Sequence, residues 1–234
     1  MTGSRRQGVQ GPLLVAEGVA KRFGPTVALD GLSIEVRGGE VVAVVGPSGS
    51  GKSTLLLCLA GIIRPDEGEI RYRGRALGSL SDTVLTRLRR DEFGFVFQFG
   101  QLVPDLTAVE NVSLPLRLAG LRRRDAEAKS RAWLGRLDVA DQAGKRVGEM
   151  SGGENQRVAV ARALATGPRV VFADEPTGSL DSLNGEVVME LLVSAARDQG
   201  TTVVLVTHEA RVAAYGDREV VLRDGRVAEI PVLR

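Results

Sequence analysis

The sequence predicts an α/β fold with a mostly parallel central sheet. Three short runs are apolar at every position: residues 41–45 (VVAVV), 170–173 (VVFA) and 203–206 (VVLV). Strands that are buried on both faces have this pattern, because helices cover both sides of a parallel sheet. A helical segment at residues 184–197 separates the last two runs. A strand–helix–strand succession favours parallel pairing of the two strands.

The composition is typical of one large globular domain. The chain has 234 residues, of which 43% are hydrophobic and 26% charged. Its 31 basic and 29 acidic residues are interleaved, so no basic stripe predicts a nucleic-acid partner. The single cysteine, Cys58, excludes an internal disulfide and suits a reducing cytosol. No apolar run reaches the roughly 18 residues that span a membrane, and we expect a cytoplasmic protein.

The order of elements predicts one domain with two additions to the central sheet. Residues 1–12 are polar and glycine-rich, so we expect a disordered lead before a single domain at 13–234. Strand-like segments at 13–19 and 27–36 predict an N-terminal antiparallel β subdomain. Further strands are expected at 68–74 and 93–98, helices at 52–60, 84–91, 109–120, 124–137 and 156–165, and a hairpin at 219–230. Three of these helices form an inserted helical subdomain at about 99–165.

A glycine-rich loop directly follows the first buried strand. Residues 46–54 read GPSGSGKST and match the pattern of a phosphate-binding loop, with a strand before it and a helix after it. Its backbone N–H groups and the helix N-terminus attract phosphate oxygens. Lys52 is expected to reach the β- and γ-phosphates, and Ser53 to bind Mg²⁺. The nucleotide-binding residues predicted here are Gly46, Pro47, Ser48, Gly49, Ser50, Gly51, Lys52, Ser53 and Thr54.

Polar residues at the ends of other strands complete a hydrolytic site. Asp174 and Glu175 follow the strand at 170–173. Asp174 can hold Mg²⁺, and Glu175 can polarise the water that attacks the γ-phosphate. Gln98 ends the strand at 93–98 and is expected at Mg²⁺ or at the attacking water. His208, the single histidine, follows the strand at 203–206 and is expected to contact the γ-phosphate.

The base of the nucleotide is predicted to be adenine. Guanine-binding proteins carry an Asn-Lys-x-Asp element, and the chain contains no such run. Phe23, in a loop before the central sheet, offers a ring for stacking on adenine. We therefore expect ATP with Mg²⁺, and the catalytic set Glu175, His208, Gln98 and Lys52.

The segment before Asp174 adds a second motif. Residues 151–157 (SGGENQR) open a helix about twenty residues upstream, and they resemble the Leu-Ser-Gly-Gly-Gln signature of ATP-binding cassette (ABC) ATPases. The resemblance extends from about residue 13 to residue 230 and includes the phosphate-binding loop, Gln98, the signature, Asp174 with Glu175, residues 179–181 and His208. Met150 and Glu154 depart from the usual signature by conservative changes, and Phe23 replaces the more common tyrosine.

The resemblance implies a head-to-tail homodimer that encloses two ATP molecules. Each ATP would lie between the phosphate-binding loop of one subunit and the signature loop of the other. Ser151, Gly152, Gly153 and Glu154 would then bind nucleotide from across the interface, and Asp181 would communicate between the sites. ATP closes such a dimer and hydrolysis loosens it, so the cycle drives conformational change in a partner.

Within this family, residues 93–120 and 173–181 resemble the lipoprotein-release, macrolide-export and cell-division ATPases. The resemblance implies a separate integral membrane permease with few helices and a large external domain. The chain would bind at the cytoplasmic face of the membrane and drive export, release of lipoprotein, lipid or peptide, or mechanotransmission. A groove around residues 99–110, with Phe99, Leu102 and Val103, is expected to hold the permease.

One alternative remains open at this point, a soluble ABC ATPase that acts on nucleic acid. Such proteins need a long coiled-coil insertion or zinc-binding cysteines. The chain has no sustained heptads and one cysteine, which counts against this alternative.

Overall fold

The structure, a computed structural model, describes residues 11–228. Ten strands are present in this range: β1 (Pro12–Phe23), β2 (Thr26–Arg37), β3 (Val41–Val45), β4 (Glu67–Tyr72), β5 (Arg75–Ala76), β6 (Phe93–Phe97), β7 (Val170–Asp174), β8 (Thr202–Thr207), β9 (Arg218–Arg223) and β10 (Arg226–Val227). Seven α-helices accompany them: α1 (Lys52–Leu59), α2 (Asp82–Glu92), α3 (Ala108–Leu118), α4 (Arg123–Arg136), α5 (Gly152–Leu164), α6 (Ser182–Gln199) and α7 (Ala210–Ala213).

The strands form two sheets, as the sequence predicts. The six-stranded sheet has the order β10-β9-β3-β8-β7-β6, and all its pairs except β10 with β9 are parallel. The four-stranded sheet has the order β2-β1-β4-β5 and is antiparallel. The predicted α/β class, with an antiparallel β region and helices inserted after β6, is therefore confirmed.

Alternate residues of each buried strand face two separate hydrophobic cores. In β3, Val41 and Ala43 belong to the core beneath α3, α4, α5 and α6, whereas Val42 and Val44 belong to the core that contains α1 and the antiparallel sheet. All four side chains are fully buried. This two-sided burial explains the unalternated apolar runs, because each face of the parallel sheet is covered.

Several predicted boundaries differ from the observed ones. The first strand begins at Pro12, inside the predicted lead, since proline is tolerated as the first residue of a strand. Residues 1–10 lie outside the described residues. The same strand continues past Val19, the predicted end, to Phe23. A register shift at Gly18 (φ +58°) interrupts the regular pairing without ending the strand. The predicted hairpin is present as β9 and β10, and Ile230 lies outside the described residues.

The three helices expected within residues 99–165 correspond to α3, α4 and α5, with ends that differ by up to four residues. Between β6 and α3 the chain makes turns without a helix, and only α3, α4 and α5 are α-helices there. Among residues 11–228, no helix combines the length and apolar character that crossing a bilayer requires.

Candidate nucleotide site

The site is built at one edge of the parallel sheet. Four neighbouring strands, β3, β8, β7 and β6, end side by side. The residues that follow them are, in the same order, the glycine-rich loop, His208, Glu175 and Gln98. Because carboxyl ends of parallel strands meet at one edge, residues far apart in sequence converge there.

Two glycines allow the phosphate-binding loop to pack against other backbone. A Cβ atom on Gly46 would lie 2.2 Å from the carbonyl oxygen of Leu222 in β9. A Cβ atom on Gly51, whose φ is +99°, would lie 2.2 Å from the carbonyl oxygen of Ala28 in β2. Neither position has room for a side chain, so the loop conformation depends on both glycines.

The Lys52 ammonium group is held inside the loop. Its Nζ donates hydrogen bonds of 2.8 Å to the carbonyl oxygens of Gly46 and Pro47, and the residue is 7% exposed. A buried ammonium group needs such partners to offset its lost hydration. Nearby, the buried Ser50 hydroxyl has no hydrogen-bond partner among the described residues.

An open cleft of about 580 Å³ lies above the loop. This volume falls within the range of about 300–1,000 Å³ that is typical of small-molecule sites. The residues that line it come from β2, the loop, α1 and the three other strand ends: Thr26, Ala28, Ser48, Gly49, Gly51, Lys52, Ser53, Thr54, Gln98, Glu175 and His208.

Ser53 and Asp174 offer oxygen ligands for a cation. The Ser53 Oγ donates a 3.0 Å hydrogen bond to Oδ1 of Asp174. Burial raises the pKa of the Asp174 carboxyl, and the neighbouring Glu175 carboxylate raises it further, against the lowering effect of the Ser53 hydrogen bond. Mg²⁺ prefers oxygen ligands, which the Ser53 hydroxyl and the Asp174 carboxylate supply. A bound cation would also offset the cost of ionising the buried carboxyl group.

Gln98 is joined to the loop that follows Glu175. Its carbonyl oxygen accepts a 2.7 Å hydrogen bond from Oγ of Ser179. A Cβ atom on Gly178 would lie 2.8 Å from Nε2 of Gln98, so this glycine leaves space for the amide. The Gln98 side chain lines the same cleft as Lys52 and Ser53.

Glu175 is held in an unusual backbone conformation. Its φ is +47°, in the left-handed region that non-glycine residues seldom adopt. Its backbone N–H donates to the carbonyl oxygen of Val206 at 2.9 Å, which fixes the turn after β7. Its Oε1 lies 2.8 Å from Nδ1 of His208, and Thr207 Oγ1 donates to Oε2 at 3.4 Å. Strained backbone of this kind clusters at functional sites.

The second glycine motif begins α5. Ser151 is the N-cap of this helix, and its Oγ accepts from the backbone N–H of Glu154 at 3.3 Å. The Glu154 carboxylate accepts in turn from the Ser151 N–H at 2.7 Å and from Nε2 of Gln142 at 2.8 Å. Its pKa is lowered chiefly by the hydrogen bond from the Ser151 backbone. Glu154, predicted to bind nucleotide, therefore serves as a helix cap within this chain.

Asp181 caps the neighbouring helix and contacts the same region. It is the N-cap of α6 and accepts from the backbone N–H of Asn184 at 3.0 Å and from its Nδ2 at 2.7 Å. Hydrogen bonds from Asn184 hold the pKa of Asp181 below its usual range. A Cβ atom on Gly153 would lie 2.8 Å from Oδ1 of Asn184. Asn184 thus links Asp181 to the signature loop, a link that no sequence pattern indicates.

The two glycine motifs of one chain, at residues 46–54 and 151–154, do not share a cleft. Ser151, Gly152, Gly153, Glu154 and Asp181 are absent from the residues that line the cleft above Lys52. Ser151 and Gly152 are instead exposed on the surface. A nucleotide held at Lys52 therefore cannot also be covered by the signature loop of the same chain in this conformation.

Phe23 lies beside the cleft and does not line it. It is 49% exposed, and the Lys21 ammonium lies 5.6 Å from its ring centroid. Its strand partner across the β1–β2 turn is Thr26, which does line the cleft. Thr26 and Ala28 are cleft residues that the sequence does not single out, because tertiary packing of β2 against Gly51 and the β9–β10 turn brings them to the loop.

Comparison with known proteins assigns the family. The family model described as "ABC transporter" matches residues 29–178. The chain belongs to the ABC transporter family. Its fold and the resemblance of its motifs to ABC ATPases agree with this assignment, and the chain is an ATP-binding, ATP-hydrolysing cassette.

Similar proteins come from transport systems. The lipoprotein-releasing system ATP-binding protein LolD 2 of Caulobacter vibrioides is 43% identical over 220 residues, which cover 92% of this chain and 96% of that protein. The LolD protein of Geobacter metallireducens is 46% identical over 199 residues, which cover 85% of this chain and 88% of that protein. The macrolide export ATP-binding/permease protein MacB 2 of Aeromonas hydrophila is 43% identical, and this cassette spans 34% of that protein's length.

Solved structures of similar cassettes include dimers. One is the ATP-binding cassette MJ0796, a dimer in a post-hydrolysis state bound to ADP and Pi. It superposes on this chain with a TM-score of 0.86 and 39% sequence identity, and the match covers 94% of this chain and 99% of the MJ0796 chain. The structure of cbiO1 from Clostridium perfringens, part of the ABC transporter complex cbiONQ, has a TM-score of 0.85 and 29% identity. The match covers 94% of this chain and 88% of the cbiO1 chain.

Proposed function

We propose that the chain closes head to tail with a second copy around two ATP molecules and thereby drives a separate membrane permease. The observation that carries this proposal is the separation of the two anion-binding motifs. The cleft above Lys52 is open to solvent, and the exposed N-terminus of α5 at Ser151 offers a second set of N–H groups. A two-fold symmetric pair places one motif of each kind at each of two sites.

Within each site, the residues of the cleft would have distinct roles. Lys52 exchanges its carbonyl partners for phosphate oxygens, and the loop N–H groups complete the cradle. Ser53, Asp174 and Gln98 would hold Mg²⁺, which supplies neutralisation of phosphate charge when bound. Glu175 accepts the proton of the attacking water, and His208 orients that carboxylate and contacts the γ-phosphate. Phe23 stacks on adenine, and Asp181 carries the state of one site to the other.

The membrane partner would bind at the segment before α3. Phe99 is 76% exposed and Val103 is 38% exposed, so both are available for docking. Leu102, expected from the sequence to contact the permease, is 8% exposed and packs in the core. Leu102 would therefore support the docking surface from beneath, because tertiary packing directs its side chain into the core. An acidic substitution at Phe99 should release the permease and leave ATP affinity unchanged.

The relatives suggest the class of work that is done. LolD proteins are named for lipoprotein release and MacB proteins for macrolide export. We infer that the chain powers release or export by a permease with few helices and a large external domain, from the cytoplasmic face of the membrane. We also propose that the ATPase unit is the single domain expected at 13–234, extended by the strand residue Pro12, with a helical subdomain at about 99–165.

A mixed-dimer experiment tests the composite site. Lys52→Ala removes the phosphate ligand, and Gly152→Asp adds a carboxylate at the exposed start of α5, where a Cβ atom meets only Leu180 at 3.4 Å. Each variant alone should lack ATPase activity. In an equal mixture, about a quarter of the sites combine two intact halves, so ATPase activity should return.

Gly148→Asp is the matched control, because a Cβ atom there meets nothing within 4 Å and the added charge lies outside the signature loop. In a mixture with Lys52→Ala, both the Gly148→Asp homodimers and the mixed dimers should hydrolyse ATP, because Gly148→Asp leaves both halves of the site intact. If the two defective variants associate and the mixture stays inactive and occludes no ATP, the head-to-tail site is ruled out.

A further inference from the structure

We propose that Arg162 is a positioning residue, which with Gln156 and Asn111 fastens the segment 97–107 to the helical region. Gln98 and the signature loop then move together. This proposal rests on the role inferred above for Gln98 at the reacting centre, and it adds the residues that control where Gln98 lies.

Arg162 holds the middle of the segment. Its Nη2 donates to the carbonyl oxygen of Gly100 and its Nη1 to that of Gln101, both at 2.7 Å. Gly100 and Gln101 have φ values of +66° and +47°, so two consecutive left-handed residues form this turn. Gln101 seldom adopts that conformation unaided. The planar guanidinium, with two donors in fixed geometry, suits a pair of adjacent carbonyl groups.

No carboxylate pairs with Arg162 among residues 11–228. Burial lowers the pKa of its guanidinium, which remains charged at neutral pH. A half-buried cation whose partners within residues 11–228 are two backbone carbonyls is costly unless those carbonyls stay in place. The turn at Gly100 is therefore favoured in the one position that satisfies Arg162.

Asn111 of α3 holds the far end of the segment. It is fully buried, and its Oδ1 accepts from the backbone N–H of Val103 at 2.7 Å. Its Nδ2 lies within hydrogen-bond distance of the carbonyl oxygens of Val103 (3.1 Å), Leu106 (3.2 Å) and Thr107 (3.2 Å). One side chain thus satisfies backbone groups across five residues, which ties this end of the segment to α3.

Gln156 holds the near end. It is 2% exposed, and its Nε2 donates to the carbonyl oxygen of Phe97 at 2.9 Å, immediately before Gln98. Gln156 and Arg162 both lie in α5, whose N-cap is Ser151. The helix that begins with the signature loop is therefore bonded to the backbone on both sides of Gln98.

This arrangement gives Gln98 two opposing attachments. On one side, α5 holds Phe97 and Gly100. On the other side, Ser179 donates to the Gln98 carbonyl oxygen from the loop that precedes α6. Displacement of α5 relative to β7 must therefore shift Gln98 in the cleft.

The experiment compares Arg162→Gln and Arg162→Lys in the full chain. Arg131→Gln is the matched control, since Arg131 is exposed in α4 and makes no ion pair among the described residues. We expect Arg162→Gln to speed amide hydrogen exchange at 99–103 by about tenfold or more through local opening, with exchange in β3 and β7 unchanged. Lysine, which reaches one carbonyl, should restore part of the protection.

Enzyme kinetics supply the second measurement. In Arg162→Gln, kcat should fall by about 10- to 100-fold because Gln98 is misplaced. The dissociation constant for a non-hydrolysable ATP analogue should stay within about twofold, because the Lys52 loop is untouched. Arg162→Lys should recover part of the lost kcat.

Two results would overturn the proposal. One is wild-type exchange at 99–103 in Arg162→Gln, whatever the kcat of that variant. The other is faster exchange throughout the chain with weaker nucleotide binding, which would show general destabilisation. Gln98→Ala separates this proposal from the proposed function: normal kcat in that variant would refute the role of Gln98, whereas the exchange result alone decides whether Arg162 holds the segment.

Discussion

Nδ1 of His208 lies 2.8 Å from Oε1 of Glu175, so the groups that follow β8 and β7 are joined directly. Glu175 is largely buried, at 17% side-chain exposure, whereas His208 is 59% exposed. The imidazole can therefore turn its other nitrogen toward the cleft while Nδ1 fixes the carboxylate. A base that is oriented by a third group is a recurring arrangement in hydrolytic sites.

Replacing the carboxylate isolates the chemical step from binding. In Glu175→Gln, we expect kcat for ATP to fall by at least about 100-fold, because an amide cannot accept the proton of the attacking water. ATP should still bind, since Lys52 and the loop are unchanged, and the dimer should persist. ATPase assays and size-exclusion chromatography with ATP measure both effects. Glu190→Gln, on the exposed face of α6, is the matched control. Normal turnover in Glu175→Gln would exclude this residue as the base.

Removing the imidazole should act through the same carboxylate. We expect His208→Ala to lower kcat by about 10- to 100-fold, and to lower it by less than that in the Glu175→Gln background. The reason is that His208 has no base to orient in that background, so only its contact with the γ-phosphate is lost. Single-turnover kinetics of the four proteins give the coupling energy. Additive losses would indicate that His208 acts independently of Glu175.

The Asp174 carboxyl should limit the stability of the nucleotide-free protein. Burial raises its pKa, so ionisation at neutral pH is less favourable in the folded state than in the unfolded one. Asp174→Asn keeps an acceptor for Ser53 and removes that cost. We expect Tm at pH 7 to rise in differential scanning calorimetry, while Mg²⁺-dependent hydrolysis is lost.

The pH dependence gives that prediction a definite sign. An acid whose folded pKa is raised loses its contribution to stability as pH rises from the unfolded value of 3.8 through the folded value. The advantage of Asp174→Asn should therefore be present at pH 7 and vanish as pH falls to about 3.8. An advantage that grows toward acid pH would contradict the assignment.

Much of this site follows from sequence because its groups directly succeed buried strands. The runs before Gly46, Gln98, Asp174 and His208 are apolar and continuous, and parallel strands end at one edge. The strand order that makes Glu175 a neighbour of His208 depends on pairing between distant segments, which no local pattern encodes.

Side-chain direction was equally beyond the reach of sequence patterns. Leu102 and Val103 are adjacent apolar residues in a turn without periodicity, and only tertiary packing directs Leu102 into the core. Arg162 and Gln156 resemble ordinary polar positions of a helix, yet each bonds to backbone about sixty residues away. Such side chain-to-backbone bonds leave no signature in either partner's sequence.

Cys58 should behave as a reporter of unfolding. Burial raises the pKa of its thiol from 9.0 to about 11, and the residue is 1% exposed. The thiolate, which is the reactive form, is therefore scarce and inaccessible at pH 8. We expect negligible alkylation of the native chain, with labelling that follows global opening and slows further when ATP is added. Rapid labelling without unfolding would show that the core around α1 opens locally.

Gly51, the N-cap of α1, should not tolerate replacement, because a side chain there would clash with β2. Alanine at Gly51 would place Cβ 2.2 Å from the Ala28 carbonyl oxygen at a φ of +99°. Strain and overpacking together should cost at least about 2 kcal/mol and disorder the Lys52 loop. Gly144→Ala is the control, since a Cβ atom there would meet nothing within 4 Å. Its free energy of unfolding should change by no more than about 0.5 kcal/mol. Urea unfolding and nucleotide binding measure the two effects. Because β2 supplies the clashing carbonyl, a stable Gly51→Ala protein that binds ATP would mean that β2 does not brace the loop.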